Sequence, residues 1–189
     1  MELDATDEEL IALLAVNSDL AIERIFERYY DFLCNIVYRY LRDEALSEDI
    51  VQDVFMELWR KHRMIRIKTS LKAYLKRATI NKTLNFIRDN KVTFEGEEDL
   101  PVLKGSFTSA SEQMEADELQ EQINQAIDGL PERCRMIFLL SRFEDMSYRE
   151  IAQKLDISVK TVENQISKAL KVLRNDLGPF LSLLIWLTM

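Results

Sequence analysis

A group of polar side chains near the C-terminal end of the chain has the types and spacing of a DNA-reading helix. Such side chains can hydrogen-bond to base edges in the major groove and to phosphates, so the chemistry they indicate is non-covalent recognition of a duplex. The alternative is an ordinary helical hairpin whose polar face is solvated. The group consists of Lys160, Thr161, Asn164, Gln165 and Lys168.

The elements around this group predict a helix-turn-helix over residues 147–174. Ser147 and Glu150 have the spacing of a capping box, which begins a short helix. A turn is expected at Asp156, and Ser158 can cap the helix that follows. The expected buried rows are Ile151, Ala152 and Leu155 in the first helix and Val162, Ile166, Ala169 and Leu173 in the second.

A strongly basic block precedes this motif by about half the chain. Residues 60–91 carry 11 basic side chains and 1 acidic one. Lys68, Lys72 and Lys76 are four residues apart, and Thr79 and Thr83 are expected to continue the same helical face. Like charges at this spacing cost about 0.2–0.5 kcal/mol per pair, so a bound anion is expected to offset them.

Aromatic and amide side chains interrupt the basic block. Tyr74 can stack on a base, and Asn81 and Asn85 can hydrogen-bond to one. Basic residues interleaved with such groups are typical of surfaces that bind single-stranded or partly opened DNA. The alternative is a basic face in contact with solvent alone.

An acidic helix with exposed apolar residues is expected just before the basic block. Asp49, Gln52, Asp53, Met56 and Trp59 lie opposite the regular apolar row of that helix. A Met and a Trp among acids indicate a protein-binding surface, because aromatic anchors ringed by polar groups make binding hot spots. The alternative for Trp59 is that it completes the core.

The net charge of −8 is divided unevenly along the chain. Residues 1–59 carry −11, residues 92–128 carry −9 and residues 129–189 carry +2, against +10 in the basic block. This segregation indicates a polyanion at one surface and a different partner at another.

The predicted fold class is all-α, with two small helical domains joined by an acidic flexible linker, because the chain has only four Gly and three Pro. In the first domain, helices are expected over residues 7–15, over residues 18–41, from a cap at Ser47 onward, and from Ser70 to about Asn90. In the second domain, Pro131 is expected at the first position of a helix. The domains are residues 1–90 (helical bundle), 91–110 (linker), 111–176 (helix-turn-helix domain) and 177–189 (apolar tail).

Several function classes have no support in the sequence. Cys34, Cys134 and His62 lack metal-ligand spacing, so no metal site or cofactor is expected. There is no Gly-rich phosphate loop and no nucleophile–base set, so neither an enzyme nor a small-molecule substrate is expected.

The acidic N-terminus does not have the pattern of a signal peptide, and cytoplasmic localisation is expected. The tail is too short to span a bilayer as a transmembrane segment. The alternatives for it are folding back on the second domain, binding a protein and contacting a membrane surface.

These features, in this order, resemble the extracytoplasmic-function (ECF) class of bacterial RNA polymerase sigma factors. Residues 47–59, SEDIVQDVFMELW, are similar to the family pattern AEDxxQxxFxxxW. Tyr74, Leu75 and Asn81 are similar to conserved positions of the family's next helix. Residues 130–138, LPERCRMIF, are similar to LPxRxRxxF, and residues 147–174 match the terminal helix-turn-helix.

The resemblance implies a protein that binds core RNA polymerase and directs promoter-specific initiation, with an anti-sigma factor as a further partner. The residues implied in polymerase binding are Asp49, Gln52, Asp53, Met56, Glu57 and Trp59. Those implied at the −10 promoter element are Arg63, Arg66, Lys68, Lys72, Tyr74, Lys76, Arg77, Asn81, Asn85 and Arg88. Those implied at the −35 element are Arg149, Ser158, Lys160, Thr161, Asn164, Gln165 and Lys168.

Three positions depart from the family pattern without overturning it. Ser47 replaces the common Ala before the Glu-Asp pair, Asn85 stands where Asp is frequent, and Asp156 replaces a turn Gly. Asp tolerates the left-handed conformation better than most residues. The competing interpretation is a response-regulator-type transcription factor, whose terminal helix-turn-helix is similar but which needs an α/β receiver domain upstream.

Overall fold

The computed structural model describes residues 5–67, 70–90 and 114–177, with the backbone alone for residues 114–120. The described residues form helices and contain no β-strand, which confirms the all-α prediction. In chain order the helices are α1 (Asp7–Val16), α2 (Ser18–Leu41), α3 (Glu44–Lys61), α4 (Leu71–Asp89), α5 (Met114–Asp128), α6 (Glu132–Phe143), α7 (Tyr148–Leu155) and α8 (Val159–Asp176).

The chain divides into two compact units, Met1–Lys91 and Val92–Met189. In the first unit α2 packs against α1, α3 and α4, so it forms the centre of the bundle. Its buried row recurs every three or four residues, as expected for a helix with one face in a core. The row consists of Ala21, Ile25, Tyr29, Leu33, Val37 and Tyr40.

A polar contact joins α1 to α2. The Tyr29 hydroxyl donates a hydrogen bond to Asp7, whose carboxylate lies 3.6 Å from Arg28. Burial and this contact with Asp7 raise the pKa of Tyr29 to about 12. The phenol is therefore a neutral donor at physiological pH, and it holds the short α1 on the bundle.

Two predicted caps in the first unit are wrong. Asn17, rather than Ser18, caps α2, and its side chain accepts a hydrogen bond from the Leu20 backbone N–H. Helix α3 begins three residues before Ser47, where Asp43 caps it. Ser47 is buried and donates to the Asp43 carbonyl, so its hydroxyl is satisfied inside the helix. The predicted cap at Ser70 is confirmed.

The second unit is organised around α6, which contacts α7 and α8. Seven consecutive residues of α6, Cys134–Leu140, are buried. Arg135 among them donates to the carbonyls of Asp128 and Leu130, and this stabilises the turn from α5 into α6. Pro131 stands at the cap position rather than at the first helical position, a difference of one residue.

The helix-turn-helix has the predicted local geometry. The capping box of Ser147 and Glu150 begins α7, and the Ser158 side chain accepts from the Thr161 N–H at the start of α8. Asp156 ends α7 with φ 53° and ψ 49°, in the left-handed region that Asp adopts more readily than most residues. The predicted rows of both helices are buried.

Some expectations lie outside the described residues. They concern the linker at 91–110, the start of the second domain at Ser111, Lys68, and the tail beyond Leu177. Leu177 itself is buried and ends α8.

We expect Ala152→Leu to destabilise the protein by about 1–3 kcal/mol, because Ala152 is buried in α7 and a larger side chain would overpack this site. Its neighbour Gln153 is exposed, so Gln153→Leu should change stability by less than about 0.5 kcal/mol. Urea denaturation followed by circular dichroism measures both. Equal stability of the two variants would contradict the packing assigned to α7.

Candidate functional site

The exposed side of α3 carries the acidic and apolar residues expected to bind a protein. Asp49, Gln52, Asp53, Met56, Glu57 and Trp59 are all exposed. Trp59 is 46% exposed and Met56 is 45% exposed, so Trp59 does not complete the core. The indole Nε1 donates to the Asp19 carboxylate at 2.9 Å, which holds the ring at the surface.

Helix α2 adds aromatic residues to this side that the sequence analysis missed. Phe26 stacks on Tyr30 with ring centroids 4.4 Å apart, and it lies 5.0 Å from the Phe55 ring of α3. Burial raises the pKa of the Tyr30 phenol, and Gln52 of α3 acts in the opposite direction. The available signal was that α2 has more apolar residues than one buried row can hold. We call the six α3 residues together with Asp19, Phe26 and Tyr30 the aromatic–acidic surface.

Two acidic residues of this surface form ion pairs and remain exposed to solvent. Asp53 Oδ2 lies 3.0 Å from Lys82 Nζ of α4, and Glu57 pairs with Lys61 one helical turn later. The hydrogen bond from Lys61 lowers the pKa of Glu57, and Glu57 raises the pKa of Lys61. Exposed pairs of this kind contribute about 0–1 kcal/mol, so a partner can replace them at little cost.

Helix α4 and the loop before it carry the basic residues. Arg63, Arg66, Lys72, Arg77 and Arg88 are exposed, and Lys76 is partly exposed. Lys72 Nζ lies 4.7 Å from the centre of the Phe32 ring, a cation–π distance that orients the ammonium group. Arg88 pairs with its neighbour Asp89.

The expectation that Thr79 and Thr83 continue this cationic face is wrong. Both residues are buried in the bundle, with 0% and 1% exposure. A buried Thr is tolerated in a helix because its hydroxyl can bond to the carbonyl four residues earlier, as Thr83 does with Thr79 at 2.9 Å. The cationic face of α4 is therefore shorter than the sequence spacing indicated.

A groove between α3 and α4 brings together the three residues that the sequence indicated for base contacts. Tyr74, Asn81 and Asn85 line it, together with Glu57 and Lys82. Burial raises the pKa of the Tyr74 phenol and Glu57 acts in the same direction, so Tyr74 stays neutral. The groove therefore presents a phenol ring, two amides, one ammonium group and one carboxylate to a ligand.

In the second unit, most of the expected base-reading residues lie on one side of α8. Lys160 and Asn164 are exposed, and Thr161 and Lys168 are partly exposed. The Ser158 and Thr161 hydroxyls are hydrogen-bonded at 2.8 Å, and Lys160 Nζ lies 3.1 Å from Glu163. Arg149 is exposed on α7.

Gln165 is placed differently from the other residues of this side. It is half-buried, and its Oε1 accepts a hydrogen bond from Cys134 Sγ of α6 at 2.7 Å. This contact could not be predicted from the sequence, because the two residues are 31 positions apart and Cys134 has the pattern of a core residue.

Comparison with known families decides the identity. The family described as Sigma-70 region 2 matches residues 25–93, and that described as Sigma-70, region 4 matches residues 120–173. The two matches together cover about two thirds of the chain. The chain belongs to the sigma-70 family, in its ECF class.

This sigma factor is similar to relatives over nearly its whole length. It is 26% identical to the RNA polymerase sigma-H factor of Pseudomonas aeruginosa, with 93% of this chain and 95% of the relative covered. It is 25% identical to the ECF RNA polymerase sigma-E factor of Escherichia coli K12, with 96% and 99% covered. A solved structure of the sigma factor RpoE with the anti-sigma factor NepR from Bartonella quintana matches 82% of this chain and 96% of that one, at 19% identity and a TM-score of 0.42.

The sigma factor binds RNA polymerase and directs promoter-specific transcription initiation, and it is not an enzyme. The response-regulator interpretation is wrong, since the region 2 match falls where that interpretation needs an α/β receiver, and residues 5–67 and 70–90 contain no strand. None of the eight described helices has both the length and the apolar composition needed to cross a bilayer.

Proposed function

We propose that the aromatic–acidic surface binds core polymerase, that α4 and its preceding loop bind the −10 element, and that α8 reads the −35 element. The observation that carries this assignment is the separation of charge within the first unit. The exposed acids and aromatic rings lie mainly on α2 and α3, whereas most of the exposed bases lie on α4, in the loop before it and at the C-terminal end of α3. One small bundle can thus hold a protein and a polyanion at once.

The aromatic–acidic surface fits a partner that is basic and has apolar pockets. Met56 and Trp59 project from the middle and the end of an acidic helix, and Asp19 fixes the orientation of the indole. Large aromatic residues held in one rotamer lose little entropy on binding, which is why they dominate interface energetics. The same surface suits an anti-sigma factor, which would compete with the polymerase for it.

The α3–α4 groove and the basic face beside it fit a strand separated from its complement. Lys72, Lys76 and Arg77 provide phosphate contacts, and Tyr74, Asn81 and Asn85 provide contacts to unstacked bases. Such contacts are available only after the duplex opens, so binding at this site favours the opened promoter. Arg63, Arg66 and Arg88 extend the positive charge at both ends of α4.

Helix α8 fits the major groove of the duplex further upstream. Its N-terminus carries Ser158, Lys160 and Thr161, the part of a recognition helix that approaches base edges. Arg149, which is exposed on α7, provides a phosphate contact in this proposal. We infer a cytoplasmic protein, because polymerase and promoter DNA are its partners.

We expect Asp53→Arg to weaken binding to core polymerase by about tenfold or more, because a charge reversal at an acidic surface opposes a basic partner. Co-purification and titration with labelled sigma factor measure the affinity. Glu8→Arg makes the same charge change on α1, and Lys82→Met removes the contact to Asp53 while keeping the carboxylate. Both controls should bind normally. Equal binding by Asp53→Arg would refute the assignment.

We expect Asn85→Ala to weaken binding of the polymerase–sigma complex to single-stranded −10 DNA by roughly three- to tenfold, the value of one hydrogen bond. Binding of a duplex oligonucleotide should not change. Fluorescence anisotropy measures both, with a promoter chosen by run-off transcription from a genomic library. Asn35→Ala is the control, because Asn35 is an exposed residue of α2 that does not line the groove. The groove is not the −10 site if the two variants bind alike.

We expect Lys160→Ala to reduce −35 discrimination by about 1–3 kcal/mol at one base pair, since Lys160 is exposed near the start of α8. Gel shifts over promoters mutated at each −35 position measure this preference. Lys171→Ala, an exposed lysine in the second half of α8, should leave it unchanged. A uniform loss of affinity across all sequences would indicate a phosphate contact instead.

A further inference from the structure

Gln165 connects the interior of the second unit to the side of α8 that is proposed to read DNA. Its side chain turns back toward α6, where Oε1 lies 2.7 Å from Cys134 Sγ. Cys134 is only 1% exposed, while Gln165 is partly exposed. A single buried atom therefore constrains a side chain at the proposed DNA surface.

The Cys134 thiol acts as the donor in this contact. Burial raises the pKa of the thiol, and this effect exceeds the opposite effect of Lys168 and Arg133. A thiol that stays protonated donates its S–H. The acceptor of a glutamine side chain is the carbonyl oxygen of its amide. The Gln165 amide nitrogen, with its two N–H groups, then points away from the thiol.

This orientation limits what Gln165 can offer to a base pair. A glutamine reads adenine bidentately by accepting from N6 and donating to N7, which needs both ends of the amide. With Oε1 turned inward, only N–H donors are directed outward. Guanine presents two acceptors in the major groove, N7 and O6, and suits a donor-only side chain. Lys168 lies close enough to act on Cys134, and its ammonium adds further donors nearby.

We propose that Cys134 is a positioning residue for promoter specificity, whose hydrogen bond to Gln165 makes α8 prefer guanine to adenine at the base pair facing Gln165. The inference rests on the proposed role of α8 at the −35 element.

Cys134→Val tests the proposal, because valine is apolar, exceeds cysteine by only about a methyl group and cannot donate a hydrogen bond. The freed amide can rotate and present both ends to adenine. We expect the guanine-to-adenine preference to fall about tenfold at one −35 position and to stay unchanged at the others. The measurement is run-off transcription by core polymerase with each variant, over promoters carrying all four base pairs at each −35 position.

Cys134→Ser and Ile137→Val are the matched controls. Serine keeps a donor at the same site, so Cys134→Ser should keep the preference. Ile137→Val trims a neighbouring buried residue of α6 and reports on loosened packing alone. The proposal is overturned if Cys134→Val keeps the full preference, or if any of the controls loses it equally. Should Cys134→Val fail to fold, Cys134→Ala provides the same test, since it also removes the donor.

The variant Gln165→Ala distinguishes a failure of the positioning role of Cys134 from a failure of the proposed role of α8. If it changes the preference at one −35 position and Cys134→Val does not, the positioning role is wrong and the role of α8 stands. If Gln165→Ala leaves every −35 preference unchanged, Gln165 does not read the promoter, and the proposed function fails at this residue together with the inference.

Discussion

The helices that we propose contact partners, α3, α4 and α8, each bury one largely apolar row, and that row determines which side chains remain exposed. Burying a Leu, Ile or Phe side chain contributes about 1.5–3 kcal/mol, whereas an exposed ion pair contributes about 0–1 kcal/mol. The rotation of α3 is therefore set by its six buried residues and not by its charges. A rotation by one residue, about 100°, that brought Asp53 to the buried place of Val54 would also bring Phe55 to the exposed place of Met56.

This constraint explains how a protein of net charge −8 can bind DNA. The buried rows of α3 and α4 face the same core, so their polar sides diverge and keep acids and bases largely apart. The Asp53–Lys82 pair marks the boundary between the two regions. Because it is exposed, a partner on either side can displace it, and its loss costs the bundle little. Charge segregation here follows from packing and not from a separate mechanism.

The sequence was sufficient where structure depends on local chemistry. The capping box at Ser147 and Glu150, the left-handed turn at Asp156 and the cap at Ser158 are properties of short segments, and all three are confirmed. The helix starts at Asn17 and Asp43 were missed because several adjacent residues can cap, and packing selects among them.

Contacts between helices could not be predicted in the same way. Thr79 follows Lys76 by three residues and Thr83 follows Thr79 by four, so both could share the face of the lysines, and only the packing of α4 on the bundle places them inside. The aromatic pair of Phe26 and Tyr30 was also missed, since periodicity shows that a helix has an excess of apolar residues but not which of them the core leaves out. For the candidate sites, the sequence thus indicated the chemical type of each surface but not all of the residues that form it.

Discrimination between base pairs requires side chains that are already held in place. A free Lys or Gln loses up to about 1.5–2 kcal/mol of rotamer entropy when it is ordered, which is comparable to the 1–3 kcal/mol that a good base contact provides. On α8, the helix that we propose reads the −35 element, part of this entropy is already lost without DNA, because Lys160 is paired with Glu163 and Gln165 is hydrogen-bonded to Cys134. The two contacts differ in their exposure to solvent. The Lys160 pair is exposed and exchanges readily with water, whereas the Cys134 thiol is shielded and keeps its acceptor. Of these two side chains, Gln165 is therefore the one whose orientation the protein interior sets most firmly.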